Sequence, residues 1–327
     1  MSDFDEKYLR RAIRLAMSAR GKVEPNPMVG CVIVKDGRVI GEGCHGHYGG
    51  PHAEPTALAS CTESPDGATA YVTLEPCCHL NKKTPPCAPK LIEAKIARVV
   101  YGCVDPNPDV EGKGLAMLRQ AGIDVVGPVL EGAARQLLAP FIGKTAHGRP
   151  YVTLKWAQTA GGKIAGPGGA RLQISNAKSS ALVQTLRSRS DAILIGIGTA
   201  IADDPTLTAR VAGESRLHTR IVLDSKLNLP ITGKLATSTD ELPVDLYFTR
   251  DGFVKAGPDR MKALMAAGVT LRESPADLTG RIALPALIQS KHMADVTHLL
   301  VEPGPRLAKS FFEAGAADRL WVIESPK

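Results

Sequence analysis

Apolar positions along the chain switch repeatedly between a helical and a strand period. In residues 5–20, Tyr8, Leu9, Ile13, Leu15 and Ala16 recur at near-helical spacing. Glu24-Pro25-Asn26-Pro27 ends that helix, because proline lacks a donor and restricts its predecessor. Residues 29–34 read as a strand, Asp36-Gly37 as a hairpin turn and residues 39–43 as the returning strand. His52 and Glu54 open a helix running to about residue 61, and residues 70–74 form a short buried strand that delivers Glu75-Pro76-Cys77 at its end. A helix at 90–94, a strand at 98–101, a helix at 114–121 and a strand at Val125-Val126 follow. Helices alternating with strands predict a sheet covered by helices, a three-layer α/β domain. Composition changes at residues 142–150, where Gly-Lys-Thr-Ala-His-Gly-Arg-Pro reads as a linker. Beyond it the pattern predicts a second α/β unit. Its strands fall at 151–157, 192–196, 220–223, 246–249, 270–273, 297–302 and 319–323, and its helices at 177–186, 258–267, 281–290 and 306–314. The domains expected are therefore 1–145 and 150–327.

Length agrees, since 327 residues exceed what one hydrophobic core usually organises. With 44% hydrophobic and 22% charged residues the composition is that of an ordinary soluble protein. The formal charge of +7 comes from scattered Lys and Arg without a dense stripe, which suits anionic small molecules better than nucleic acid. Aromatic residues are only 4%, leaving few platforms on which a single strand could stack. The N-terminal segment lacks the apolar core of a signal peptide, and no run reaches the roughly 18 apolar residues of a membrane span. Seven cysteines, an odd number crowded near a histidine, fit metal binding in a reducing compartment rather than a disulfide framework. A cytoplasmic protein with no membrane or nucleic-acid partner is expected.

The chemistry is concentrated in His52-Ala53-Glu54, Glu75-Pro76-Cys77-Cys78-His79 and Pro85-Pro86-Cys87. A His-x-Glu with a downstream Pro-Cys and a further cysteine is the signature of zinc hydrolytic deaminases. One imidazole (His52) and two thiolates (Cys77, Cys87) leave the fourth tetrahedral position of Zn²⁺ open for water, as a catalytic site requires. Glu54 is placed to move protons: it would accept the water proton, then protonate a ring nitrogen and the leaving amine. The two prolines before Cys87 limit the freedom of its loop, and placing His52 and Cys87 in first helical turns favours thiolate and brings the ligands together. A closed zinc knuckle built from Cys77, Cys78, Cys87 and His79 is the alternative, and it leaves His-Ala-Glu unused. His45 and His47 read as loop or surface histidines, Cys31, Cys61 and Cys103 as buried small hydrophobes, and Cys78 as pointing away from the metal. Substrate choice is not contained in these residues.

The chain resembles the bifunctional bacterial riboflavin biosynthesis deaminase/reductases over nearly its whole length. Pro25-Asn26-Pro27-Met28-Val29-Gly30, His52-Ala53-Glu54, Thr73-Leu74-Glu75-Pro76-Cys77-Cys78-His79, Thr84-Pro85-Pro86-Cys87 and Gly102-Cys103-Val104-Asp105-Pro106-Asn107-Pro108 carry the first half. The resemblance implies a cytidine-deaminase-like domain that converts a 2,5-diamino-6-ribosylaminopyrimidinone 5′-phosphate to the uracil. Asn26, His79, Lys82 and Lys83 would line its ring and phosphate pocket. The loop Leu80-Asn81-Lys82-Lys83 is one residue longer than usual and lacks the family's glycine. The second half is matched by Tyr151-Val152-Thr153-Leu154-Lys155, Gly162-Lys163-Ile164-Ala165, Asp191-Ala192-Ile193-Leu194, residues 196–199, and Ala202-Asp203-Asp204-Pro205 with Leu207, Thr208 and Arg210. It implies a dihydrofolate-reductase-like α/β domain that uses NADPH to reduce the ribosyl group to a ribityl chain. By the same resemblance Ala157, Thr199, Asp203 and Gly304 would contact the cofactor, and Arg187, Leu207, Arg210 and Glu302 the substrate. Arg187 and Arg210 would each grip a phosphate with two prongs.

Three departures stand out: Gly161-Gly162 for Asp-Gly, Gln173-Ile174-Ser175 for Trp-Ile-Thr/Ser, and Glu302-Pro303-Gly304-Pro305 for Glu-Gly-Gly-Pro, which deletes an N–H that could bind phosphate. The family also usually continues through another strand pair after the position of Lys327, so either the sheet is finished differently or the chain is short. Two alternatives therefore stay open: an active deaminase with a C-terminal half that only binds or scaffolds, and a nucleic-acid editing deaminase with an unrelated second domain. The resemblance also implies a homodimer or higher homo-oligomer.

Overall fold

The strand Gly30–Lys35 sends alternate residues to opposite sides of a sheet: Cys31 and Ile33 to one apolar layer, Val32 and Val34 to the other. The computed structural model that shows this describes residues 3–78, 85–164, 176–210 and 218–325. It divides into two compact units, Met1–Gly148 and Arg149–Lys327.

In the first unit the elements run α1 (Asp3–Met17), β1 (Gly30–Lys35), β2 (Arg38–Cys44), α2 (Ala53–Ala59), β3 (Thr69–Val72), α3 (Cys87–Glu93), β4 (Arg98–Tyr101), α4 (Lys113–Gln120), β5 (Asp124–Val126) and α5 (Glu131–His147). The sheet order is β2-β1-β3-β4-β5, antiparallel about β1 and parallel from β3 onward. Asp36 and Gly37 both adopt positive φ, the geometry of a two-residue hairpin turn. Tyr8, Leu9 and Ala12 of α1 pack on Val32, Val34, Tyr71 and Val100. Ala53 and Ala57 of α2, Leu91 of α3 and Leu118 of α4 pack on Cys31, Ile33, Val72 and Val99. These are the three layers that the alternation predicts. Helix α1 crosses β1 so closely at Gly30 that a Cβ there would lie 2.0 Å from the Ala12 carbonyl oxygen.

The segment 142–150 is not a linker. Helix α5 runs through it to His147 and ends on Gly148 in the left-handed region, so the unit boundary falls between Gly148 and Arg149. The helix hides from pattern reading because Gly132, Pro140 and Gly143 interrupt it and its buried stripe is only Ala134, Leu137 and Leu138. Helix α3 starts at Cys87, three residues before the position predicted, with Pro86 as its N-cap.

The second unit contains β6 (Tyr151–Thr159), α6 (Ala177–Ser188), β7 (Ala192–Gly196), α7 (Ile197–Asp203), β8 (Thr219–Leu223), α8 (Lys234–Thr237), β9 (Val244–Phe248), α9 (Arg250–Ala256), α10 (Pro258–Ala266), β10 (Thr270–Glu273), α11 (Leu284–Ile288), β11 (His298–Val301), α12 (Pro305–Glu313) and β12 (Arg319–Ser325). Every pairing in its sheet, β10-β9-β8-β7-β11-β6-β12, is parallel. Both faces are buried, as a parallel sheet demands: Leu194, Ile221 and Leu299 enter one core, while Ile193, Val222 and Leu300 enter the other. The helix expected over 281–290 shrinks to Leu284–Ile288, because Ile282 is taken by a bridge to Ala276 and Pro285 sets the first turn. Arg149 and Asp318 tie the unit's first and last strands together. Two guanidinium N–H groups reach the carboxylate at 2.7 and 2.9 Å, and the Val152 N–H donates to it at 2.7 Å. No helix among the described residues is long and apolar enough to cross a membrane.

Replacing Gly30 with Ala should lift α1 from β1 and destabilise the first unit by about 1–3 kcal/mol, the usual range for overpacking. Urea denaturation followed by probes in each unit checks this, with the second unit's transition expected to stay in place.

Candidate active sites

Three chain segments converge in the first unit. His52 is the N-cap of α2, its carbonyl taking the Thr56 N–H and hydroxyl; Cys77 follows the end of β3; Cys87 opens α3. His52 Nδ1 lies 3.6 Å from Cys77 Sγ and 3.3 Å from Cys87 Sγ, and the three ligand atoms all fall within 4.8 Å of one another. Tetrahedral zinc with ordinary bond lengths places N and S ligands roughly 3.6 Å apart. The bond to Cys77, and then burial, push the Cys87 thiol well above its ordinary value. Two touching buried sulfurs can carry charge together only with a cation between them, so the donor set fits Zn²⁺. The Cys87 N–H donates to Cys77 Sγ at 3.4 Å, and the N–H groups of Cys87 and Ala88 both reach the Cys77 carbonyl.

Glu54 stands in the first turn of α2, buried and outside the ligand triangle. Burial, followed by the charge of Cys77, raises its carboxyl to about 7, so it can both take and return a proton. Cys78 does not join the triangle, which removes the ligand set of a closed knuckle. Neither ring nitrogen of His45 is available for metal: Nδ1 meets the Pro51 carbonyl at 2.9 Å and Nε2 meets Asn26 Nδ2 at 3.0 Å. His45 is thus a buried, fully engaged group rather than a surface histidine. Cys31 and Cys103 are buried as expected, whereas Cys61 is only half-buried. His79, Lys82 and Lys83 lie outside the described residues.

Sequence reading missed Glu75. Its buried carboxylate accepts four backbone N–H bonds, from Asp105 (3.3 Å), Gly112 (2.9 Å), Gly114 (3.0 Å) and Leu115 (3.3 Å). An acidic residue between a buried strand and a ligand cysteine was its only signal.

The second unit holds a cleft of about 1490 Å³ at the ends of β6, β7, β8 and β11. Ala157, Thr199, Asp203, Gly304 and Glu302 line it. Gly304 caps α12 with Pro305 in the first turn, and a Cβ on Gly304 would stand 3.8 Å from the Thr199 hydroxyl. Pro305 occupies a position where a missing N–H is tolerated, and Pro303 precedes the cap, so the Gly304 N–H survives the altered turn. Trp156 puts an aromatic against the cleft, while Gln173 lies outside the described residues.

Glu302 is the electrostatic centre of this cleft. Arg187 holds it with Nε–Oε1 at 2.6 Å and Nη2–Oε2 at 3.0 Å, and Lys155 Nζ lies 3.9 Å from Oε2. Burial works to raise the Glu302 carboxyl, but Arg187 and then Lys155 outweigh it and hold it below the usual carboxylate range. Burial lowers Lys155 against the pull of Glu302. Lys155 is a second residue that sequence reading left unassigned. The fork of Arg187 is spent on Glu302, and its remaining arm donates to the Thr208 carbonyl, so it is not free to grip a phosphate with two prongs. Arg210 keeps an exposed guanidinium, steadied by the hydroxyls of Thr208 and Thr206. Leu207 does not present its side chain to the cleft: it is buried in the core at φ 51°, and its carbonyl accepts from the His218 ring.

The chain matches the family model of the RibD C-terminal domain over residues 150–327 and that of the cytidine and deoxycytidylate deaminase zinc-binding region over residues 2–103. It is 40% identical over 327 residues to the riboflavin biosynthesis protein RibD of Actinobacillus pleuropneumoniae, covering 100% of this chain and 84% of that protein. Against the protein of the same name from Aquifex aeolicus identity is 38% over 325 residues, covering 99% and 88%. Among solved structures it is similar to a diaminohydroxyphosphoribosylaminopyrimidine deaminase/5-amino-6-(5-phosphoribosylamino)uracil reductase from Thermotoga maritima, with TM-score 0.84, 35% identity, and 99% and 87% coverage.

Elemental analysis of protein prepared without chelator should find one zinc per chain. Cobalt substitution should give the intense visible bands of a tetrahedral site with thiolate charge transfer, and Cys77→Ser or Cys87→Ser should abolish them, whereas Cys78→Ser should not.

Proposed function

The chain belongs to the RibD family and is a bifunctional riboflavin biosynthesis enzyme, a zinc-dependent deaminase joined to a reductase; on that footing we propose which residues carry each half and on what substrate. The first unit deaminates 2,5-diamino-6-ribosylamino-4(3H)-pyrimidinone 5′-phosphate, and the second reduces the ribosyl group of the product to a ribityl chain with NADPH. The observation that carries this reading is the pairing of a His52–Cys77–Cys87 triangle beside Glu54 with a separate cleft centred on Glu302.

Zinc held by His52, Cys77 and Cys87 supplies a Lewis acid that lowers the pKa of water toward neutrality. Glu54 would take the water proton and give it to the ring nitrogen as the hydroxyl adds to the amine-bearing ring carbon, then carry the proton of that added hydroxyl to the amine, so that the exocyclic C–N bond breaks, ammonia leaves and a carbonyl remains. A buried carboxyl near 7 can serve in both directions at neutral pH. Asn26 and His79 orient the ring, and Lys82 and Lys83 receive the phosphate.

In the second unit NADPH supplies a hydride when bound along Ala157, Thr199, Asp203 and Gly304. Glu302 lies at the substrate end, held ionised by Arg187 and Lys155. Arg210 takes the substrate phosphate, because its guanidinium is exposed and, among the described residues, meets only the hydroxyls of Thr206 and Thr208. Leu207 shapes this end through its backbone. An intact Glu302 cluster and a cleft-lining Trp156 support turnover over a purely scaffolding second half. The enzyme works in the cytoplasm as a homodimer or higher homo-oligomer.

Ammonia release and NADPH oxidation, followed separately with the diaminopyrimidinone phosphate, test the two halves. Glu54→Gln should keep zinc and lower deamination by about 10²–10⁴-fold, the usual worth of a positioned acid–base group. The same variant should oxidise NADPH normally when given the deaminated intermediate.

Arg210→Ala should weaken substrate binding by roughly 10- to 150-fold, corresponding to about 1.5–3 kcal/mol for a charged hydrogen bond, and spare NADPH. Lysine at 210 should restore only part, since a point charge lacks the guanidinium fork. Substrate and NADPH affinities of the two variants check the assignment.

A further inference from the structure

We propose that His45 is a positioning residue for deamination: it sets the amide of Asn26 so that the side-chain carbonyl oxygen faces the substrate and reads an N–H donor on the aminopyrimidine ring. The proposal deepens the deaminase reading and rests on it.

The hydrogen-bond inventory dictates the orientation. His45 is 3% exposed, and its Nδ1 lies 2.9 Å from the Pro51 carbonyl oxygen. A carbonyl only accepts, so Nδ1 carries the hydrogen. The group facing the other ring nitrogen is an N–H donor, which needs an acceptor there. The His45 Nε2 therefore offers a lone pair, and the group that meets it at 3.0 Å is the Asn26 amide nitrogen. Turning the amide over would set two acceptors face to face. Asn26 Oδ1 is thereby directed away from His45, and it makes no hydrogen bond to a described residue.

The backbone holds the rest of the relay. The His45 N–H bonds to the Val29 carbonyl, the Asn26 N–H bonds to the Val23 carbonyl, and Glu24 takes the N–H groups of Gly21 and Val23. Pro51, which receives His45, immediately precedes the ligand His52. The two imidazoles also meet edge-on, centroids 5.5 Å apart at 67°. Asn26 thus stands one imidazole away from a zinc ligand, with its orientation tied to that ligand's own backbone. A carbonyl oxygen fixed there accepts from a lactam or amine N–H and rejects a bare ring nitrogen, which makes the pair a selector of ring face and tautomer.

The test uses the zinc-loaded full chain. His45→Phe keeps a ring and removes the acceptor; His45→Gln restores an acceptor for the Asn26 amide. Each is measured for deaminase kcat and KM, zinc content and reductase activity, alone and combined with Asn26→Ala. We expect His45→Phe to lower deaminase kcat/KM about 10-fold, the effect of one lost hydrogen bond to substrate, with zinc and reductase activity unchanged. Glutamine should recover most of it, and phenylalanine should add less than about twofold once Asn26 is Ala. Equal losses in both backgrounds, or no difference between Gln and Phe, overturn the proposal. Imidazole ¹⁵N spectra of the unmodified protein provide a readout that needs no turnover. A His45 ring protonated only at Nδ1 supports the relay, and protonation at Nε2 refutes it. Absence of ammonia release from unmodified protein would sink the deaminase reading instead, leaving the tautomer to decide this inference.

Discussion

The deaminase half is organised around one carboxylate. Glu75 sits between β3 and Cys77 and accepts four backbone N–H groups from the segment that leads into α4. Each charge-assisted bond is worth about 1.5–3 kcal/mol, and losing the acceptor would strand four donors in the interior. The contact is as close as the chain allows: a Cβ on Gly114 would stand 2.0 Å from the Pro76 carbonyl oxygen. Position of the Cys77 sulfur is therefore settled from outside the metal site, by a loop that contributes no ligand.

The reductase half solves the opposite problem. There a carboxylate is kept charged inside a cleft, with two cations bracketing Glu302 rather than a cage of amides. Two cations against one carboxylate give the cluster one formal excess positive charge, and Lys155 and Glu302 are its members that line the cleft. Arg187 spends its fork on Glu302, whereas Arg210 keeps an exposed guanidinium. Two arginines that look equivalent along the chain thus differ in what is already bonded to them.

Much of this architecture is legible in the chain. Strands β4 and β7 fall where apolar periodicity puts them, because each is a short, mostly buried run between clear turn signals, and β10 falls where expected as a half-exposed strand at the sheet edge. The zinc triangle was readable from spacing alone, since a His-x-Glu and two cysteines in this pattern answer a chemical need that few other arrangements share. Helix α5 was not, because its glycines and proline imitate a linker and tertiary packing overrides them. Glu75, His45 and Lys155 escaped for a common reason. Their roles lie in bonds to residues distant in sequence, and a single side chain carries no mark of the partners it will meet. Leu207 shows the converse, a residue placed in a site by its neighbours in the motif whose side chain serves the core.

The order of strands in the second unit has a bearing on how this protein is made. Strand β6 is the first of that unit to leave the ribosome, and its two neighbours, β11 and β12, are the last. Its backbone and its apolar residues Val152 and Leu154 stay unpaired through nearly all of the unit's synthesis. The first unit has no such debt: every strand that pairs with β1 lies within the next few elements. Non-local parallel pairing is slow and leaves edges open to intermolecular association. Nascent chains thus carry a finished deaminase fold ahead of an unfinished reductase, and the burden of chaperoning falls on the C-terminal half.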